Sequence, residues 1–310
     1  MGRLVLHHYP QSPFAEKARL MLGLKRLAWD SVTIPRVMPK PDLVALTGGY
    51  RRTPVLQDGA DIWCDTALIA RRLERERPEP PLFPRGLEAV AETLVHFADH
   101  ELFNHSVALN FQPEALAARF KGVPEEHVRA FAADRGALFS GGTLRRMDLG
   151  VARSQWPTLL GRLDAQLQSH PFLLGDAASI ADIATYHPVW FVASSPLLAS
   201  SLAPFAALQA WMARIAALGH GTPTAMASED AVDMARASEP EPLRANAFVD
   251  PAGFAVGQSV TVAATDYGVD PVAGTLAWQD AEQVVIARDD GRAGRVHVHF
   301  PRIGFRVSPT

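Results

Sequence analysis

Two proline-rich breaks constrain this chain more than any other feature. Arg77-Pro78-Glu79-Pro80-Pro81-Leu82-Phe83-Pro84 and Ser238-Glu239-Pro240-Glu241-Pro242 continue neither a helix nor a sheet, because proline fixes φ and lacks an N–H. They divide 310 residues into three stretches of different composition, in keeping with a length greater than one core usually holds. Apolar residues make up 48% and charged residues 20%, which supplies real cores and excludes a mainly disordered chain.

The first stretch, residues 1–78, alternates strand and helix signals. Arg3-Leu4-Val5-Leu6-His7 reads as a buried strand, and Phe14, Ala18, Met21 and Leu22 share one helix face. Trp29 to Ile34 is a second strand; Thr53–Gln57 and Asp61–Trp63 form a hairpin around Asp58-Gly59, and a helix follows from Asp65. That order predicts an α/β sheet domain. Residues 87–237 read as helical almost throughout, with Ser179-Ile180-Ala181-Asp182 the clearest capping box. Residues 248–310 carry the strand-like runs Ser259–Ala263, Glu282–Ala287 and Arg295–Phe300, which suggest a small β-barrel module, SH3-like in form.

Several function classes drop out. No apolar run reaches the roughly 18 residues of a membrane span. The N-terminus turns polar too early for a secretory signal, and Leu6 stands where a myristoylation motif needs Ser or Thr. The one cysteine, Cys64, makes neither an internal disulfide nor a cysteine metal site, which fits a reducing cytoplasm. A net charge of −3 argues against a nucleic-acid binder, although residues 1–80 carry a net +4 that favours an anionic ligand.

Three short motifs remain as candidate chemistry. In Tyr9-Pro10-Gln11-Ser12-Pro13-Phe14, Ser12 is a natural N-cap and Pro13 suits the first helical position. Beyond capping, a hydroxyl beside free N–H groups and a positive dipole end can stabilise a thiolate. Lowering a thiol's pKa by about two units takes ~2.7 kcal/mol. In Arg51-Arg52-Thr53-Pro54-Val55-Leu56, a cis Pro54 would leave the Val55 backbone free for an extended peptide-like ligand; an ordinary edge proline is the plainer alternative. Asp65-Thr66 opens a helix and can hold a ligand carboxylate through N–H groups and the Thr hydroxyl, with Asp65 facing an ammonium group.

With these spacings the chain resembles the cytosolic glutathione transferase superfamily, of the serine type found in bacteria, over residues 1–237. The resemblance implies a thioredoxin-like glutathione-binding domain, an all-helical second domain with the second-substrate site, and glutathione as co-substrate. It places Ser12 at the thiol-activating position, Pro54 at the cis-proline, Asp65 and Thr66 at the γ-glutamyl site, and Arg52 near the glycyl carboxylate. Val55 then pairs with the peptide backbone, and Phe97, His100 and Phe103, from the segment after the linker, line the second-substrate pocket. Asp-Thr replaces the family's usual Glu-Ser, and the third stretch lies outside its two-domain plan. His96 and His100 are spaced i, i+4 as zinc ligands can be, but a pocket or interface role is expected and no metal. A homodimer in the cytoplasm is expected, without nucleic acid or membrane as partners. The leading expectation is conjugation of glutathione to a small electrophile. The alternatives are a glutathione-assisted isomerase or dehalogenase, and a non-catalytic binding protein whose C-terminal module recruits a partner.

Overall fold

β1 (Val5–His8) is buried along its whole length, as a strand covered on both faces must be. The structure, a computed structural model, describes residues 3–310. Ser12 ends the turn after β1 and Pro13 opens α1 (Pro13–Leu24), whose Ala18, Met21 and Leu22 enter the core. β2 (Ala28–Thr33) lies parallel to β1. α2 (Pro41–Thr47) is too short to show a period in sequence; it ends at Gly48, whose φ of +77° suits a residue without Cβ. β3 (Val55–Asp58) and β4 (Asp61–Cys64) form the hairpin expected at Asp58-Gly59, and α3 (Thr66–Glu76) follows.

The helical domain begins with α4 (Glu88–Phe97), which passes through a π-helical turn, Ala98–Leu102, into α5 (Phe103–Asn110). Then come α6 (Pro113–Arg119), α7 (Glu125–Leu138), α8 (Leu149–Leu167), α9 (Ile180–Ala193) and α10 (Ala206–Ala216). α9 is buried nearly all round, as the central helix of a bundle must be. Its capping box is real: the Asp182 carboxylate accepts the Ser179 N–H at 3.0 Å, and its other oxygen accepts from the Leu173 backbone and the Trp211 indole. An unexpected strand, β5 (Thr222–Ala225), adds to β2, and α11 (Ser228–Arg236) packs on α2.

The third stretch holds five strands: β6 (Ser259–Ala264), β7 (Val272–Gln279), β8 (Gln283–Asp290), β9 (Gly294–Pro301) and β10 (Phe305–Pro309). The last pairs with the first, as closing a barrel-like meander requires. β7 and β10 escaped sequence reading; β7 shifts register between Leu276 and Trp278, which breaks the alternation. The larger difference is that this module is not a separate unit. β9 pairs in parallel with β4, giving one ten-stranded sheet in the order β10-β6-β7-β8-β9-β4-β3-β1-β2-β5. Otherwise β4 would be an open edge. His299 hydrogen-bonds Asp61 at 2.8 Å and stacks on Trp63, while Ile62 and Val298 share one apolar core. Among the described residues no helix is long and apolar enough to cross a membrane.

Candidate functional site

Ser12 is buried, with extended backbone at the head of α1. Its Oγ accepts the Ala15 N–H at 3.2 Å, which leaves its own proton for another acceptor. The hydroxyl lines a cavity of about 270 Å³ together with Tyr9, Lys40, Thr53 and Phe103. β1 holds this floor in place through two neutral histidines. His7 donates to Gln57 Oε1 at 2.8 Å, and burial brings its pKa down to about 4. His8 accepts from Arg19 at 3.0 Å and donates to Ser31; burial and the Arg19 charge bring it also to about 4.

Asp65 and Thr66 line a second cavity of the same size, at the head of α3. Asp65 caps the helix by accepting the Ala67 N–H at 3.0 Å, with φ at +75°. A non-glycine residue in that region is strained, and such strain concentrates at functional positions. The Thr53–Pro54 peptide is cis, as the resemblance implies. Val55 needs correcting, however. β3 is a central strand, so Val55 is paired toward both His7 and Cys64, is wholly buried and lines neither cavity. Thr53, just before the ladder begins, lines both.

Arg52 also stands differently from expectation. Its guanidinium forms an ion pair with Asp266, lies 3.7 Å from Asp65 and sits over the Tyr267 ring at 4.0 Å. Asp266 and Tyr267 belong to the β6–β7 turn, so the module reaches across the cleft. Thr143 and Leu144, beyond α7, donate backbone N–H groups to Thr265 and Asp266 at 3.0 Å, which fixes the turn from the other side. Gly142 is obligatory there: a Cβ would stand 1.7 Å from the Asp266 carbonyl oxygen. Arg52, Tyr267, Thr53 and Phe14 thus form a wall shared by the two cavities. Phe103 lines the Ser12 cavity and His100 the Asp65 cavity; Phe97 lines neither and packs on the core.

Two family models match in register with this architecture, the glutathione S-transferase N-terminal domain over residues 6–81 and its C-terminal domain over 151–218. A solved GST-like protein from Pseudomonas syringae is 43% identical, with all of both chains covered and a TM-score of 0.84. The chain belongs to the glutathione transferase superfamily. A probable glutathione transferase of Aplysia californica is 32% identical over 30% of this chain and 95% of its own length. FtsZ-localized protein A of Caulobacter vibrioides is 28% identical over 58% of this chain and 72% of its own. The Pseudomonas match spans the β module as well, so this transferase-family chain shares its extra strands with a solved relative.

Three parts of the transferase cleft were not singled out from sequence. Lys40, just before Pro41 of α2, is 3% exposed, and its one side-chain hydrogen bond among the described residues goes to the Thr53 hydroxyl, at 3.4 Å; burial, Arg135 and Arg51 bring its pKa to about 8. Its Lys-Pro helix start was a usable signal. Lys17, Asp99 and His187 join the two domains beside the Asp65 cavity. Asp99 accepts from Lys17 at 2.6 Å and His187 at 2.9 Å; burial opposes its charge, yet these partners hold its pKa at about 2. Tyr267 had no local signal at all.

Proposed function

We propose that this protein is a glutathione-dependent transferase. Its thiolate is held by the Ser12 hydroxyl, with the peptide passing Thr53 and the γ-glutamyl end at Asp65 and Thr66. The observation that carries this reading is Ser12 itself: a buried residue of the cavity lining whose hydroxyl accepts from the helix and donates to no partner among the described residues. Lys40, which forms no ion pair among the described residues and touches the Thr53 hydroxyl, is the cation for the glycyl carboxylate, in place of the Arg52 that the resemblance implied. Pro54 and Arg52 then shape the passage between the cavities, and Phe103 lies on the second-substrate side. Hydroxyl and helix end together supply the thiolate's stabilisation, and the rate gain comes from positioning an ionised sulfur rather than from proton relay. A cytoplasmic homodimer is the assembly this reading takes.

A second reading is a non-catalytic transferase-like body that binds a partner protein. It is favoured by the Arg52–Asp266–Tyr267 contact across the cleft and by a relative named FtsZ-localized protein A. Thermal unfolding with glutathione separates the two. A ligand at 100 times its Kd adds about 2.7 kcal/mol, and the bound thiolate should absorb in the ultraviolet in the parent but not in Ser12→Ala. No shift at millimolar glutathione would favour the second reading.

A further inference from the structure

The Ser12 cavity is charged in one direction only. Arg36, Lys40, Arg51, Arg52, Arg119 and Arg135 line it, and none of its lining residues is acidic. Neutralisation comes from outside and is partial. Asp134, behind the wall, accepts from Arg51 at 3.0 Å, pairs with Arg135 and takes the Met38 N–H at 3.0 Å. Asp266 takes Arg52. Arg119, at the end of α6, has no carboxylate partner among the described residues. It donates to the Asn110 side-chain oxygen at 2.5 Å and lies 4.7 Å over the Phe191 ring. Burial, and then the Arg36 charge, weaken its hold on its proton.

Around these cations stand phenylalanines. Phe111, Phe120, Phe131 and Phe191 line the same space; Phe120 and Phe131 are 5.1 Å apart by ring centroid, and Phe111 and Phe131 are 6.2 Å apart. A half-buried guanidinium on an aromatic face without a carboxylate partner, as Arg119 is, is costly unless an anion completes it. A neutral apolar substrate would leave that cost in place. An aromatic ring bearing a carboxylate meets both requirements.

We propose that this cavity takes an aromatic carboxylate as second substrate, its ring among Phe111, Phe120 and Phe191 and its carboxylate on Arg119, with Arg36 at the mouth. This rests on the transferase reading only for the chemistry. There the glutathione sulfur, deprotonated to solvent on binding, forms a C–S bond at a ring carbon as the C–Cl bond breaks and chloride leaves with its electron pair. Arg119 is the specificity-determining residue.

The test uses the full chain with 4-chloro-3-nitrobenzoate and its neutral amide, first without glutathione, by isothermal titration. The carboxylate should bind at least tenfold tighter than the amide. Arg119→Gln should abolish that preference while leaving amide affinity unchanged, and Arg119→Lys, which keeps the charge, should retain most of it. Equal affinity for the two probes, or an Arg119→Gln loss that strikes both alike, would overturn the proposal. Glutathione is then added. A preserved carboxylate preference without chloride release from either probe would sink the transferase reading and leave the anion site standing.

Discussion

The cavities on either side of Arg52 and Tyr267 are alike in volume, about 270 Å³ each, and different in electrostatic character. The Asp65 side mixes signs: Asp65, Glu92 and Asp99 face Lys17, Arg71 and two histidines. The Ser12 side has cations and aromatic rings without an acid. The γ-glutamyl end of glutathione is a zwitterion and suits mixed signs, whereas a thiolate and carboxylates suit the cationic side. One ligand spanning both must pass the wall that the C-terminal module helps to build. Tyr267 of the module thus stands between the two halves.

The largest expected effect strikes the support of the cationic side. His7 and His8 have folded pKa values near 4 against an ordinary 6.5, so between those pH values the unfolded chain binds more protons than the native one. Stability is complete above pH 6.5 and falls as pH drops to 4, by about 3 kcal/mol from His7 alone. Urea unfolding at pH 7, 5.5 and 4 measures it; a flat profile would mean the histidines are not held neutral. Next is Ser12→Ala, which should lower the conjugation rate by about 10²-fold, as loss of one anion-stabilising donor does. Loss of the cap should also cost roughly 1 kcal/mol of stability. An unchanged rate would strip the Ser12 side of its distinction.

The wall itself is probed by Asp266→Asn. Removing the carboxylate that pins Arg52 should free a second cation beside Lys40 and tighten glutathione several-fold, about 1 kcal/mol, by titration calorimetry. Weaker binding would show instead that Asp266 positions Arg52 for the ligand. The smallest effect is Thr66→Val, which deletes one hydroxyl on the mixed-sign side. It should cost glutathione up to about 1 kcal/mol while leaving binding of an aryl carboxylate unchanged. If both ligands weaken, the cavities are one site rather than two.

Local chemistry made most of the two-domain framework legible without coordinates. Proline runs divided the chain; Ser12-Pro13 and Ser179–Asp182 wrote their caps into adjacent residues; Asp58-Gly59 wrote its hairpin; and Thr53-Pro54 and Asp65-Thr66 marked the cleft. Each is a property of residues within a few positions of one another, where periodicity and hydrogen-bonding preferences act. Phe103, named through the resemblance rather than by local chemistry, lines the Ser12 cavity, while Val55 lies inside the ladder, because which neighbours flank β3 is not a local matter.

What tertiary structure alone decided involves residues more than 200 positions apart. β9 joins β4 through His299 and Asp61, 238 residues away, and Arg52 meets Asp266 across 214. No window of sequence contains either pair, and the cations of the Ser12 cavity are gathered from four separate segments: Arg36 and Lys40, Arg51 and Arg52, Arg119, and Arg135. Side-chain type and spacing state what each segment can become; only packing one apolar face against another fixes which charges end up sharing a low-dielectric space, and with it what the cleft can hold.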